Sequence, residues 1–191
     1  MSRRLSIVGI VIITVVSITG VLLYSMMETR EFDVLTEKPE LEPVIRVMMK
    51  IPVRYTCDGE DVSPPILWDV ETLPKGTKSL ALVMFDPDAP HRTFIHWIMY
   101  NINPELGSLS ENMPKQPIVE GMGMQGINDF GEIGYGGPCP PPGLPHRYFI
   151  RILALDQELD LPPGLNIEEF EKVIRGHIIG YGDIIVVYKR G

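Results

Sequence analysis

The sequence predicts a mostly β domain with one short helix near its C-terminus, carried behind an N-terminal apolar span. Three observations predict it. Eighteen prolines and 18 glycines are scattered without a repeat period, which interrupts helices and marks turns. Continuous apolar runs, such as Ser79–Phe85 and Phe94–Ile102, have the length of buried strands rather than of helices. Helical spacing of apolar residues occurs in the stretch after Asn166.

The 191 residues are enough for one ordinary domain plus an extension. With 45% hydrophobic and 22% charged residues the chain is globular in composition. A net charge of −8 argues against a nucleic-acid partner. Neither of the two cysteines, Cys57 and Cys139, lies in a CxxC, which excludes a zinc ribbon. They can pair in an oxidising compartment, and otherwise are two small packed thiols.

In chain order, Leu5–Met27 carries no charge and exceeds the roughly 20 residues that span a bilayer as a helix. Arg3 and Arg4 before it favour a cytoplasmic N-terminus and a translocated domain. A cleaved signal peptide is the competing reading, but no small-residue cleavage site closes the run. Residues 1–28 are therefore expected to be a single-pass membrane anchor or signal segment, 29–43 an acidic tether with prolines at 39 and 43, and 44–191 the folded domain.

Val44–Tyr55 reads as one or two strands broken at Pro52, and Ile66–Trp68 as a short strand. Ser79–Phe85 ends at Asp86-Pro87-Asp88-Ala89-Pro90. There the two prolines hold the backbone extended and fix the directions of two carboxylates, which serve either a site or local caps. Phe94–Ile102 encloses His96 in an apolar run. Pairing with Ser79–Phe85 would bring that imidazole towards Asp86, where a carboxylate fixes the tautomer. Pro104–Gly126 shows no period and reads as loops.

The stretch Gly134–Tyr148 holds five prolines and four glycines and reads as a stiff loop. It delivers His146, Arg147 and Tyr148 to the mouth of a strand over Phe149–Leu155, as a scaffold presents a preformed site. Asn166 is expected to cap a helix from Ile167 to about His177, with Ile167, Phe170, Val173, Ile174 and Ile178 on its apolar face. His177 would favour the helix C-terminus, a structural role. Ile184–Tyr188 reads as a closing strand.

These residues resemble the phosphatidylethanolamine-binding protein family, in its prokaryotic kinase-inhibitor-like branch. The likeness rests on an ordered series: Thr-Cys-Asp-Gly-Glu-Asp-Val-Ser-Pro-Pro, Asp-Pro-Asp-Ala-Pro, Ile-His-Trp, Gly-Ile-Asn-Asp-Phe-Gly, Gly-Tyr-Gly-Gly-Pro-Cys-Pro-Pro and Pro-His-Arg-Tyr. It covers roughly Pro52 to Tyr188. The resemblance implies a β-sandwich with a small pocket at one end that takes phosphate-type anions and phospholipid head groups. Its walls would be Asp86, His96, Pro138, His146 and Tyr148, and its rim Asp88, Pro90, Gly136 and Gly137. It also implies a cis proline, with Ala89–Pro90 and Gly137–Pro138 as the bonds concerned. His96, His146, Tyr148 and the backbone N–H groups near Gly136 and Gly137 would donate inward. Asp86 would hold a histidine charged, accept a hydrogen bond from a protonated phosphate oxygen, or meet an ammonium group. Cys57 and Cys139 would border the pocket as a disulfide or as reduced thiols.

The expected function is a membrane-tethered anion or head-group binding module on the extracytoplasmic side, with a kinase or protease as a protein target to be regulated. No catalytic residue, cofactor or resident metal is assigned. The alternatives are a hydrolase, metal-assisted or not, built on the Asp/His pocket, and a structural domain with a vestigial pocket. Ser63 is the hydroxyl nearest a motif, but it lacks a G-x-S-x-G setting.

Overall fold

The computed structural model describes residues 46–191. The anchor and the tether lie outside the described residues. Among the described residues no helix is long and apolar enough to cross a membrane.

The centre is β3 (Ser79–Asp86), flanked by β4 (Phe94–Ile102) and β8 (His146–Leu155), both antiparallel to it. All eight residues of β3 are buried, because both faces of the sheet are covered. That explains the continuous apolar run where a one-sided strand would alternate. β9 (Ile178–Tyr188) pairs antiparallel with β8, and β1 (Arg46–Lys50) pairs parallel with β9. β6 (Ile118–Val119) and β7 (Gly123–Gln125) complete a seven-stranded sheet in the order β1-β9-β8-β3-β4-β7-β6. β2 (Ile66–Leu67) and β5 (Ser108–Leu109) form a second sheet of two strands.

Two apolar cores lie on the two faces of the large sheet. Leu80, Leu82 and Met84 pack with Trp97, Met99, Ile150 and, from the small sheet, Ile66 and Leu109. Ala81, Val83 and Phe85 pack with Ile95, Leu153, Phe170 and Ile174. The second group includes the apolar side of α1 (Ile167–Ile174). The described residues form a mostly β fold with one small helix.

α1 begins at Asn166 in a reciprocal capping box with Glu169. It ends at Ile174, short of the expected His177. Gly176 takes a left-handed φ of +88°, and His177 turns back to Asp156 at 3.0 Å. Ile178 is consequently the first residue of β9 rather than part of the helix face, and the closing strand is longer than Ile184–Tyr188. Three other readings change. A 3-10 turn over Val53–Tyr55 follows Pro52 in place of a second strand. Trp68 lies beyond β2. The stretch read as loops contains a 3-10 turn at Pro104–Leu106 and β5, β6 and β7, strands too short to show a period.

Candidate functional site

Antiparallel pairing sets one end of the large sheet. Asp86 ends β3, His96 lies near the start of β4, and His146 and Tyr148 open β8. Asp86 pairs with Phe94 and Phe85 with Phe149, so these segments meet at the same edge. His146, Arg147 and Tyr148 belong to the strand itself, not to the loop before it. The period of two therefore puts His146 and Tyr148 on one face and turns Arg147 to the other, exposed side.

Asp86 is almost fully buried, and each of its oxygens accepts a hydrogen bond. Oδ1 takes the Asp88 N–H at 2.8 Å, and Oδ2 takes Nδ1–H of His146 at 2.7 Å. The carboxylate holds His146, across to β8, and not His96 as the β3–β4 pairing implied. The physical reason is direction: Asp86 leaves the end of β3 toward the strand on its other side, while His96 is engaged elsewhere. Asp88 faces Arg147, taking a two-pronged guanidinium contact at 2.7 and 2.8 Å and the Arg147 N–H at 2.9 Å. These bonds hold the Asp88 carboxyl below its usual range.

His96 is buried and donates Nδ1–H to the Gly136 carbonyl at 2.7 Å, while its own carbonyl accepts the Gly136 N–H at 2.9 Å. Burial pushes its pKa down, with the Gly136 carbonyl and the Asp86 charge opposing, so the ring is neutral near pH 7. Its ring stands edge-on to Tyr148 at 5.2 Å and to Phe130 at 5.5 Å, with Phe94 at 5.1 Å. The Tyr148 hydroxyl is buried and makes no hydrogen bond of ordinary geometry. Burial, with the Asp86 carboxylate nearby, raises its pKa far above that of a free phenol.

The backbone donors expected around Gly136 and Gly137 do not face a ligand. The Gly136 N–H bonds the His96 carbonyl, and the Gly137 N–H bonds Asp61 Oδ1 at 2.7 Å. Pro138 is buried, and its carbonyl accepts the Cys57 N–H at 3.2 Å. Cys57 and Cys139 form a disulfide beside it. No described peptide bond is cis, so Ala89–Pro90 and Gly137–Pro138 are both trans. Pro90 is exposed at the turn after β3.

The sequence model of the family described as phosphatidylethanolamine-binding protein matches residues 42–189. The chain belongs to the phosphatidylethanolamine-binding protein family. Among its relatives, a UPF0098 protein of Aquifex aeolicus is 52% identical over 74% of this chain and 82% of its own. A UPF0098 protein of Methanothermobacter thermautotrophicus is 48% identical over 74% of this chain and 92% of its own. The crystal structure of CT736, a phosphatidylethanolamine-binding protein homolog from Chlamydia trachomatis, superposes with a TM-score of 0.68 at 33% identity, covering 79% of this chain and 96% of that one. Escherichia coli YbcL, described as a member of the mammalian family, gives 0.66 at 27% identity, over 81% and 97%.

In this phosphatidylethanolamine-binding protein fold, sequence reasoning passed over three contributors. Phe130 walls His96 and stays exposed. Asp129 binds the Ile95 N–H at 2.7 Å and Arg92 at 2.8 Å. Asp61 binds the Gly137 N–H. The sequence showed the first two only as an acid and an aromatic in a turn; their place beside His96 is set by the fold. Among the described residues no group of three or more His, Cys, Asp or Glu side chains is arranged to hold a metal ion. An apolar groove of about 780 Å³, lined by Met49, Ile51, Leu67, Trp68, Ile150 and Ile184 among others, shares no residue with this site.

Proposed function

We propose that the domain is a binding module for small phosphate-type anions or the phosphate of a phospholipid head group, tethered to a membrane with its pocket on the extracytoplasmic side. The observation that carries the reading is the buried Tyr148 hydroxyl. It makes no hydrogen bond of ordinary geometry, has the Asp86 carboxylate as its polar neighbour, and sits beside two imidazoles whose Nδ1 atoms are already held. A buried hydroxyl left so costs free energy unless something else meets it. His96 and His146 each turn Nδ1 into the protein, which leaves Nε2 for a ligand.

The chemistry suits a protonated phosphate oxyanion. Tyr148 donates to an anionic oxygen. Neutral His96 accepts at Nε2, and a hydrogen phosphate supplies both the oxygens and one O–H. An anion bound there would raise the His96 pKa from its depressed value. Binding is then expected to take up a proton and to strengthen as pH falls toward the bound-state pKa. Calorimetry in buffers of different ionisation enthalpy reads that uptake, and zero uptake between pH 5 and 8 counts against the assignment.

The direct test is titration of the protein with inorganic phosphate and with phosphoethanolamine. Tyr148→Phe and His146→Ala should each weaken binding about tenfold, the loss of one good hydrogen bond to a charged group. Absence of any thermal shift or binding heat with either probe would overturn the reading. The tether is tested separately, by the membrane partition of the full chain and the protease sensitivity of its domain in sealed vesicles.

A further inference from the structure

The peptide unit between Gly136 and Gly137 carries two of the contacts described above. Its carbonyl takes the Nδ1 proton of His96 at 2.7 Å, and its N–H reaches Asp61 Oδ1 at 2.7 Å. The bond is trans, so these two groups point in opposite directions from one rigid plane. His96 pulls on one side and Asp61 on the other. Asp61 is half-buried, adopts a left-handed backbone with φ +54°, and uses its second oxygen to accept from Lys115 Nζ at 3.1 Å.

Glycine is required on both sides of this plane. A Cβ on Gly136 would come within 2.5 Å of the Phe130 ring. One on Gly137 would lie 2.5 Å from the Tyr55 carbonyl and 2.6 Å from Asp61 Oδ1. Two glycines also leave the plane sterically free to rotate by a half-turn. The rotated plane would present an N–H to His96, and that ring would then accept at Nδ1 and carry its proton on Nε2. Rotation would also aim a carbonyl at the Asp61 carboxylate, an arrangement of two acceptors. The surrounding loop is fixed independently by the Gly136 N–H bond, the Pro138 carbonyl and the disulfide. The direction of this one peptide therefore falls to Asp61.

We propose that Asp61 is a positioning residue for the anion site: through the Gly136–Gly137 peptide it selects the His96 tautomer that carries its proton on Nδ1 and leaves Nε2 as an acceptor. It touches neither the imidazole nor the anion. This rests on the binding reading above only for its effect on proton uptake. The tautomer itself is a property of the free protein.

The experiment uses long-range 15N–1H NMR of the His96 ring together with phosphate titration, on three proteins: the native chain, Asp61→Asn and Asp61→Gly. Asparagine keeps an acceptor oxygen and tolerates the left-handed backbone. Glycine relieves the backbone and removes the acceptor. The native chain and Asp61→Asn should show His96 protonated on Nδ1, with phosphate affinities within about twofold of each other. Asp61→Gly should shift the proton toward Nε2 and remove the proton uptake that accompanies phosphate binding, because an Nδ1 that accepts from a peptide N–H has no place for a further proton, with its disulfide and thermal unfolding cooperativity retained. An Asp61→Gly ring still protonated on Nδ1 would overturn the proposal, whatever its phosphate binding. So would an Asp61→Asn ring matching that of Asp61→Gly. If the native chain binds no phosphate, the binding reading fails, while the ring spectra still decide whether Asp61 sets the tautomer.

Discussion

On the proposed reading, Tyr148 trades stability for binding. Its hydroxyl is buried and makes no hydrogen bond of ordinary geometry, with the Asp86 carboxylate as its polar neighbour, and an unmet buried donor costs about 1–3 kcal/mol. Tyr148→Phe should therefore raise the unfolding free energy by about 1 kcal/mol while it weakens phosphate; a destabilised variant in denaturant titration would show that the hydroxyl is satisfied after all. His96 adds a pH term. Its folded pKa lies below the unfolded value of about 6.5. Between those values the unfolded chain holds more protons, so stability rises with pH there and is lost as pH falls below about 6.5. Urea unfolding from pH 5 to 7.5 should show this slope, and His96→Gln should flatten it. Asp88, held low by Arg147, acts elsewhere: its contribution is present above the usual carboxylate pKa and disappears only in stronger acid. Which residues could gather was legible in the sequence, because Asp86 ends an apolar run, His96 interrupts one and His146 stands just before one. Who bonds whom was not. Asp86 has a strand on either side, and no local pattern says that it reaches β8 rather than β4.

Strands and helix show the same division. The long strands were readable as apolar runs because both faces of β3 are covered. β5, β6 and β7 were not, since pairs and triplets of residues exist only by virtue of the strand beside them. The end of α1 was placed too late for a specific reason: Ile178 fits the helical face equally well, and only the turn at Gly176 reassigns it to β9. The β8–β9 pair, the longest ladder of the sheet, carries a buried cross-strand ion pair. Arg151 and Asp183 stand in register and meet at 2.7 and 2.8 Å, with the guanidinium over Tyr181 at 4.8 Å. Removing the carboxylate takes away the cross-strand counter-charge of a buried guanidinium, so Asp183→Ala should cost about 3–5 kcal/mol. The double change Arg151→Met, Asp183→Leu should recover most of it. Equal losses in the single and double variants would indicate that packing on Tyr181, not charge, holds this ladder.

At the scale of the molecule, β class and motif order were legible because the chain repeats short apolar runs between proline and glycine. The unequal layers were not. A seven-stranded sheet faces a two-stranded one, and an apolar groove of about 780 Å³ lies along the small sheet and β9. The Cys57–Cys139 link joins the loop that holds Asp61 to the loop that holds Gly136, and closes a ring of separation 82. In the chain-entropy account such a ring contributes about 4 kcal/mol, which reduction should remove; an unchanged denaturation midpoint in thiol would contradict this. β3 and β4 lie inside the ring, whereas α1, β8 and β9 lie outside it. A protease that nicks the backbone once between residues 58 and 138 thus generates two fragments that migrate as a single band on a denaturing gel until a reductant splits them. One nick in the exposed segment before α1 yields two bands with or without reductant, so a pair of gel lanes distinguishes the two cleavage sites.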